Sequence, residues 1–165
     1  MFNMQLLNPQ TIELDGWQQR TSLTAGQAGK IVNIAGIDTG DTVFFAGMPD
    51  GTLEAAVMAR AARFVSGERA PWSGRDHNGA DVSLCHVSEL RSPETARLLR
   101  IFRRCLRPGG RMVIWTPPDR TFCSSSLTDQ FQELADNTGF TSVIVGRLPS
   151  ERGRGEVVAT GILNK

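Results

Sequence analysis

Cys85 and His86 sit side by side at the end of an apolar run, A80-D-V-S-L-C-H-V87. A thiol beside an imidazole supplies the parts of a nucleophile and its base. Adjacent residues on a strand, however, point to opposite faces. The expectation is therefore a buried thiol and a hydrogen-bonded structural histidine, with no catalytic residue assigned. His77 lies in the polar stretch 67–79 and is expected in solvent. Cys85, Cys105 and Cys123 are widely spaced and form no C-x-x-C pair. They read as reduced thiols of a cytoplasmic protein, with no metal site. Trp115 reads as packing, whereas Trp72, between Pro71 and Ser73, suits a partner anchor or a ring folded onto its own domain.

A second cluster lies earlier. The run T42-V-F-F-A46 is followed by G47-M-P-D-G51. Glycines at a strand-to-helix turn let the main chain approach a nucleotide or nucleoside. Here Met48 and Pro49 separate them, and proline fixes one backbone angle and removes one amide. The turn is expected to cradle a nucleoside poorly, and Asp50 is expected to cap the next helix.

The elements that must position these groups follow from periodicity. Residues 42–46 form a buried strand. Leu53, Val57, Ala61 and Phe64 then recur at helical spacing up to Gly67. Residues 67–79 are a polar loop, and 80–87 form a second strand. Ser92-Pro93-Glu94 starts a helix with the stripe Leu98, Leu99, Phe102 and Leu106. Arg97, Arg100, Arg103, Arg104 and Arg107 lie mostly off that stripe, as a solvated face or as a docking patch for an acidic partner. Pro108-Gly109-Gly110 ends the helix, and 111–116 form a core strand. Leu127, Phe131 and Leu134 mark another helix. Residues 140–146 and 156–162 form two final strands, antiparallel at a sheet edge. The fold class is α/β: a mainly parallel Rossmann-like sheet, helices on both faces, and an antiparallel C-terminal strand pair. Residues 1–41 read as an irregular N-terminal extension, with 30–35 the best candidate for a short strand.

With 165 residues, 40% hydrophobic and 21% charged, the chain suits one globular domain. A net charge of +1 gives no reason to expect nucleic acid or an anionic membrane as a partner. No apolar run approaches the ~20 residues that span a bilayer.

The stretch from Ala80 to Leu90, followed by the Ser92 helix, L106-R-P-G-G110 and a strand, resembles class I methyltransferases. The resemblance runs from about Thr42 to the end and implies a methyltransferase-like domain over 42–165. It also implies a glycine-rich turn after the first strand and an acid after the second. The turn is interrupted, and no second strand is evident before residue 80; Glu68 and Asp76 are the acids there. The L-R-P-G-G run, the gapped turn and the ending V157-V-A-T-G-I-L-N-K165 further resemble the N-terminal domain of the anamorsin family of cytosolic iron–sulfur assembly proteins. That likeness implies a truncated N-terminal part of a longer protein and a non-catalytic interaction domain with no cofactor in this chain. Iron–sulfur clusters would lie in an absent C-terminal region. Diflavin reductase and iron–sulfur assembly proteins would be partners, with a link to resistance against apoptosis. The alternative is an active S-adenosylmethionine-dependent methyltransferase. Gly47, Asp50, Gly51 and Asp81 would then contact the cofactor.

Overall fold

A computed structural model describes residues 23–47, 50–60, 62–66, 79–87, 90, 92–116, 124–148 and 157–164. Its elements in chain order are α1 (Ala25–Ala35), β1 (Thr42–Phe45), α2 (Gly51–Met58), β2 (Arg63–Ser66), β3 (Ala80–His86), α3 (Pro93–Cys105), β4 (Leu106–Thr116), α4 (Ser124–Asn137), β5 (Phe140–Arg147) and β6 (Val157–Leu163). The sheet order is β2-β1-β3-β4-β6-β5. The first four strands are mutually parallel. β6 pairs antiparallel with β4 and with β5. The expected fold class stands.

The N-terminal segment expected to be irregular contains a regular helix. Residues 30–35 are helical, not a strand, as part of α1. Thr24 and Gln27 close a capping box at its start, and Gly36 ends it in the left-handed region at φ 63°. Ala28, Ile31, Val32 and Ala35 recur at three- and four-residue spacing, and all four are buried. They pack with Val43, Phe45, Val82 and Leu84 in one cluster, so α1 belongs to the same core as the sheet.

The second correction concerns residues 59–66. The helix expected to run through Phe64 stops at Met58. Arg63–Ser66 instead forms β2, in register with Thr42–Phe45. Pairing to a neighbouring strand outweighs the local helical spacing. Phe64 stacks on Phe45, ring centroids 6.1 Å apart. The second strand that the sequence did not disclose is therefore present.

Ser92 caps α3 by accepting from the Thr95 amide at 3.2 Å, with proline in the first turn, as its sequence dictates. The helix does not run on to the proline. Leu106 is already extended (φ −79°, ψ 141°) and pairs with Ala80. Pro108-Gly109-Gly110 forms a bulge inside β4, where the register slips between Ala80 and Val82. Gly109 takes φ 80°, and a Cβ on Gly110 would meet the Arg107 carbonyl oxygen at 2.9 Å. That neighbour is backbone and cannot swing away. Gly110→Ala is expected to cost about 1–2 kcal/mol. A melt as stable as wild type would show that the bulge relaxes freely.

The sheet separates two cores. On one face α3 and α4 bury Leu98, Leu99, Phe102 and Phe131 against Phe44, Cys85, Met112 and Ile114. On the other, α1 and α2 cover Val43, Phe45, Leu84, Val113 and Trp115. Each fully buried side chain of this size contributes roughly 1.5–3 kcal/mol, so both helix layers are needed to hold the strands.

Candidate functional site

Parallel strands put their carboxyl ends on one edge of the sheet. From β1 the chain passes through α2 to β2 on one side, and the next strand, β3, lies on the other side of β1. The order therefore reverses between β1 and β3. In open α/β sheets ligands bind in the crevice outside the strand ends at such a switch point. Three strand ends meet there: Gly47 just past β1, His86 at the end of β3, and Trp115-Thr116 at the end of β4. The Ala46 amide donates to the Leu84 carbonyl at 3.0 Å and the Val87 amide to the Trp115 carbonyl at 2.9 Å, tying these ends together.

Gly47 adopts φ 97°, a conformation that a residue with a side chain resists. Gly51 opens α2, and a Cβ there would meet nothing within 4 Å. Asp50 caps α2 as expected, accepting from the Thr52 amide at 2.7 Å through Oδ1. Its Oδ2 accepts from the Leu23 amide at 3.1 Å, just before α1. Both carboxylate oxygens thus serve backbone amides and join the two helix starts. Asp50→Ala is expected to lower stability by about 1–2 kcal/mol, the upper part of the range for a lost cap. An unchanged urea midpoint would refute that coupling.

Asp81 is not brought together with these residues. It starts β3 at the opposite, amino edge. There it accepts from the Thr42 amide at 2.8 Å and pairs with Arg107. Burial alone would raise its pKa, but the amide and the guanidinium outweigh burial and hold the carboxyl below its usual range. Its place and partners are those of a structural anchor.

Cys85 and His86 point to opposite faces, as strand geometry requires. Cys85 is wholly buried in the α3–α4 core. Its Sγ donates toward the carbonyl oxygens of His86 and Ala46, at 3.2 and 3.5 Å. Burial pushes the thiol pKa far up, so it is no nucleophile. The Nε2 of His86 is buried and has no partner among the described residues. The ring lies 6.2 Å from Trp115, tilted by 60°. Trp115 Nε1 is likewise buried without a partner. Burial lowers the imidazole pKa to about 4, which leaves it neutral near pH 7. Trp115 is packed, as expected.

On the far face of the sheet, α3 and α4 flank an open groove of about 470 Å³, lined by Ser92, Pro93, Ala96, Gln130, Glu133 and Leu134. Among the described residues there is no group of three or more His, Cys, Asp or Glu suited to a metal, and no helix long and apolar enough to cross a membrane. Met48, Pro49, Glu68, Trp72, Asp76, His77 and Cys123 lie outside the described residues. With β2 in place, Glu68 falls two residues beyond a strand end in the sequence. It comes about twenty residues after Gly47, the spacing at which dinucleotide folds carry a ribose-binding acid. That signal was legible only once β2 was known.

No family model and no curated protein matches the sequence. Solved structures do match in fold. The chain is similar to an S-adenosylmethionine-dependent O-methyltransferase from Thermotoga maritima, with a TM-score of 0.61 and 10% identity over 94% of this chain and 71% of that one. It is similar to 1,6-didemethyltoxoflavin-N1-methyltransferase from Burkholderia thailandensis, determined with bound 1,6-didemethyltoxoflavin and S-adenosylhomocysteine (TM-score 0.62, 18% identity, 99% and 86% covered). It is also similar to tRNA (m1A58) methyltransferase from Aquifex aeolicus (TM-score 0.63, 13% identity, 94% and 76% covered). The chain has a class I methyltransferase-like fold.

Proposed function

We propose that this chain binds S-adenosylmethionine at the β1–β3 switch point and acts as a methyltransferase. The observation that carries the reading is Gly47. It stands at φ 97° where β1 meets the switch point, with β2 alongside on the other flank. The second strand that the methyltransferase resemblance implies is present as β2. The residues present fit a nucleoside there in three respects. The backbone at Gly47 carries no Cβ, the space beside Gly51 is open, and an acid follows β2 in the sequence. When bound, the donor supplies an electrophilic methyl group. The chain's own part is to hold it by backbone contacts at Gly47 and to exclude water with the packed rings at the ends of β3 and β4.

Isothermal calorimetry with S-adenosylhomocysteine tests this. Micromolar binding is expected, weakened roughly tenfold or more in Gly47→Val, because the side chain strains the turn and fills the approach. A folded protein that releases no heat with this ligand would remove the proposal.

A second reading keeps the domain non-catalytic, as in the anamorsin family: a docking module that supports electron transfer from a diflavin reductase for cytosolic iron–sulfur assembly. Two observations favour it. Both oxygens of the Asp50 carboxylate already accept from backbone amides. Arg97, Arg100, Arg103 and Arg104 have no ion pair among the described residues, so one helix presents four unneutralised guanidinium groups. Failure to bind S-adenosylhomocysteine, with reductase capture abolished by Arg100→Glu and Arg104→Glu together, would select this reading.

A further inference from the structure

Two polar ring nitrogens are buried side by side without a partner among the described residues: His86 Nε2 and Trp115 Nε1. Their residues are opposed in register on the adjacent strands β3 and β4, with 6% and 1% exposure. Buried polar groups are nearly always paired, and an exception calls for a missing partner. These exceptions stand together at the carboxyl ends of the strands, on the edge where this fold class places ligands. Among the described residues, Ser83 Oγ is the other unpaired buried group. It lies one residue out of phase, on the opposite face, and is not part of the pair.

The geometry points to His86 and Trp115 as the polar contacts for the methyl-accepting substrate, which must be a flat, uncharged heteroaromatic molecule with a hydrogen-bond acceptor. Each attribute has its own cause. Indole N–H only donates, so the ligand must accept there. The imidazole is neutral, so no anion is called for and a ligand N–H or C=O can meet it, according to tautomer. The surroundings are aromatic: Phe45 lies 6.0 Å from Trp115, and Phe64 stacks on Phe45. Such walls favour a planar ring. Among the described residues no charged side chain bonds to either ring.

This inference rests on placing the reaction at the β1–β3 switch point, and its test separates the two. The indole N–H signal of Trp115, identified by its loss in Trp115→Phe, is followed by NMR as hypoxanthine or nicotinamide is added. Each probe is flat, neutral and carries an adjacent donor and acceptor; benzoate is the charged control. A saturable shift with at least one heterocycle and not with benzoate is expected, roughly tenfold weaker in His86→Phe, as for one lost hydrogen bond. Trp115→Phe keeps an aromatic side chain but loses the donor together with the five-membered ring, so it should weaken binding of the same probe, seen by ligand-detected saturation transfer. An unmoved indole signal in folded wild-type protein would overturn the inference. So would equal affinity in His86→Phe, or an N–H held by an internal water that no probe displaces. S-adenosylhomocysteine is titrated in parallel. If it binds and the heterocycles do not, the inference alone fails; if the heterocycles bind and it does not, the methyltransferase reading fails and the ring-nitrogen site stands.

Discussion

Arg111→Met is expected to destabilise the protein by about 2–3 kcal/mol, lowering the melting temperature by roughly 5–10 °C for a domain of this size. Arg111 starts the regular part of β4, and its guanidinium crosses to the end of α1. Nε donates to the Ala35 carbonyl at 2.6 Å, and Nη2 donates to the Gly36 carbonyl at 3.1 Å and to Asp41 Oδ2 at 3.2 Å. The last carbonyls of a helix have no partner within it and carry partial negative charge. A planar fork satisfies two of them at once and takes up the Asp41 charge. The ion pair itself is partly exposed, with side chains 30% and 20% accessible, so its share is small. The carbonyl bonds carry most of the effect. Arg111→Lys should therefore recover less than half of the loss, since an ammonium cannot bridge in the same plane. Equal melting of the lysine and arginine proteins would show that charge alone matters.

That clamp explains why α1 escaped the sequence reading. Its partner is some seventy-five residues away, and no local pattern announces it. The helix signals were nonetheless present: Thr24 and Gln27 at capping-box spacing, a buried stripe from Ala28 to Ala35, and Gly36 behind it. Gly26, Gly29, Gly36 and Gly40 in and around the helix mask that pattern. By contrast, Ser92-Pro93-Glu94, the stripe through Phe102 and the two terminal strands were legible, because each is specified by contiguous residues. β2 was not. Four residues, R63-F-V-S66, have no periodicity of their own and become a strand only by pairing with β1.

The candidate site divides in the same way. Asp50 as a cap and Gly47 in a turn were readable, since both depend on the strand-to-helix junction itself. That Asp50 also accepts from the Leu23 amide through its second oxygen depends on a tertiary contact. The motif position of Asp81 suits a cofactor acid, yet a parallel strand begins at the edge opposite the one where this fold class places ligands. The direction of β3, more than residue type, decides its role. The pairing of His86 with Trp115 required the register of β3 on β4, which no spacing in the sequence encodes.

Acidification should expose the burial of His86 as a stability slope. Native protein is expected to lose up to about 3 kcal/mol between pH 6.5 and pH 4 that His86→Phe does not lose. In the folded chain burial pushes the imidazole pKa down to about 4, against the ordinary 6.5 once unfolded. Within that window the unfolded chain holds a proton that the folded chain rejects, so stability rises with pH and falls as acid is added. The loss is complete near pH 4, where the folded imidazole also protonates. Asp81 acts in a different range. Its depressed pKa gives stability that is present above its ordinary value of 3.8 and lost only as pH falls further. Its contribution therefore begins where that of His86 ends. Urea melts at half-unit pH steps, compared between native and His86→Phe protein, isolate the histidine. Parallel curves from pH 6.5 to 4 would mean that the imidazole protonates as easily in the fold as in water, and that its nitrogen is not sealed from solvent.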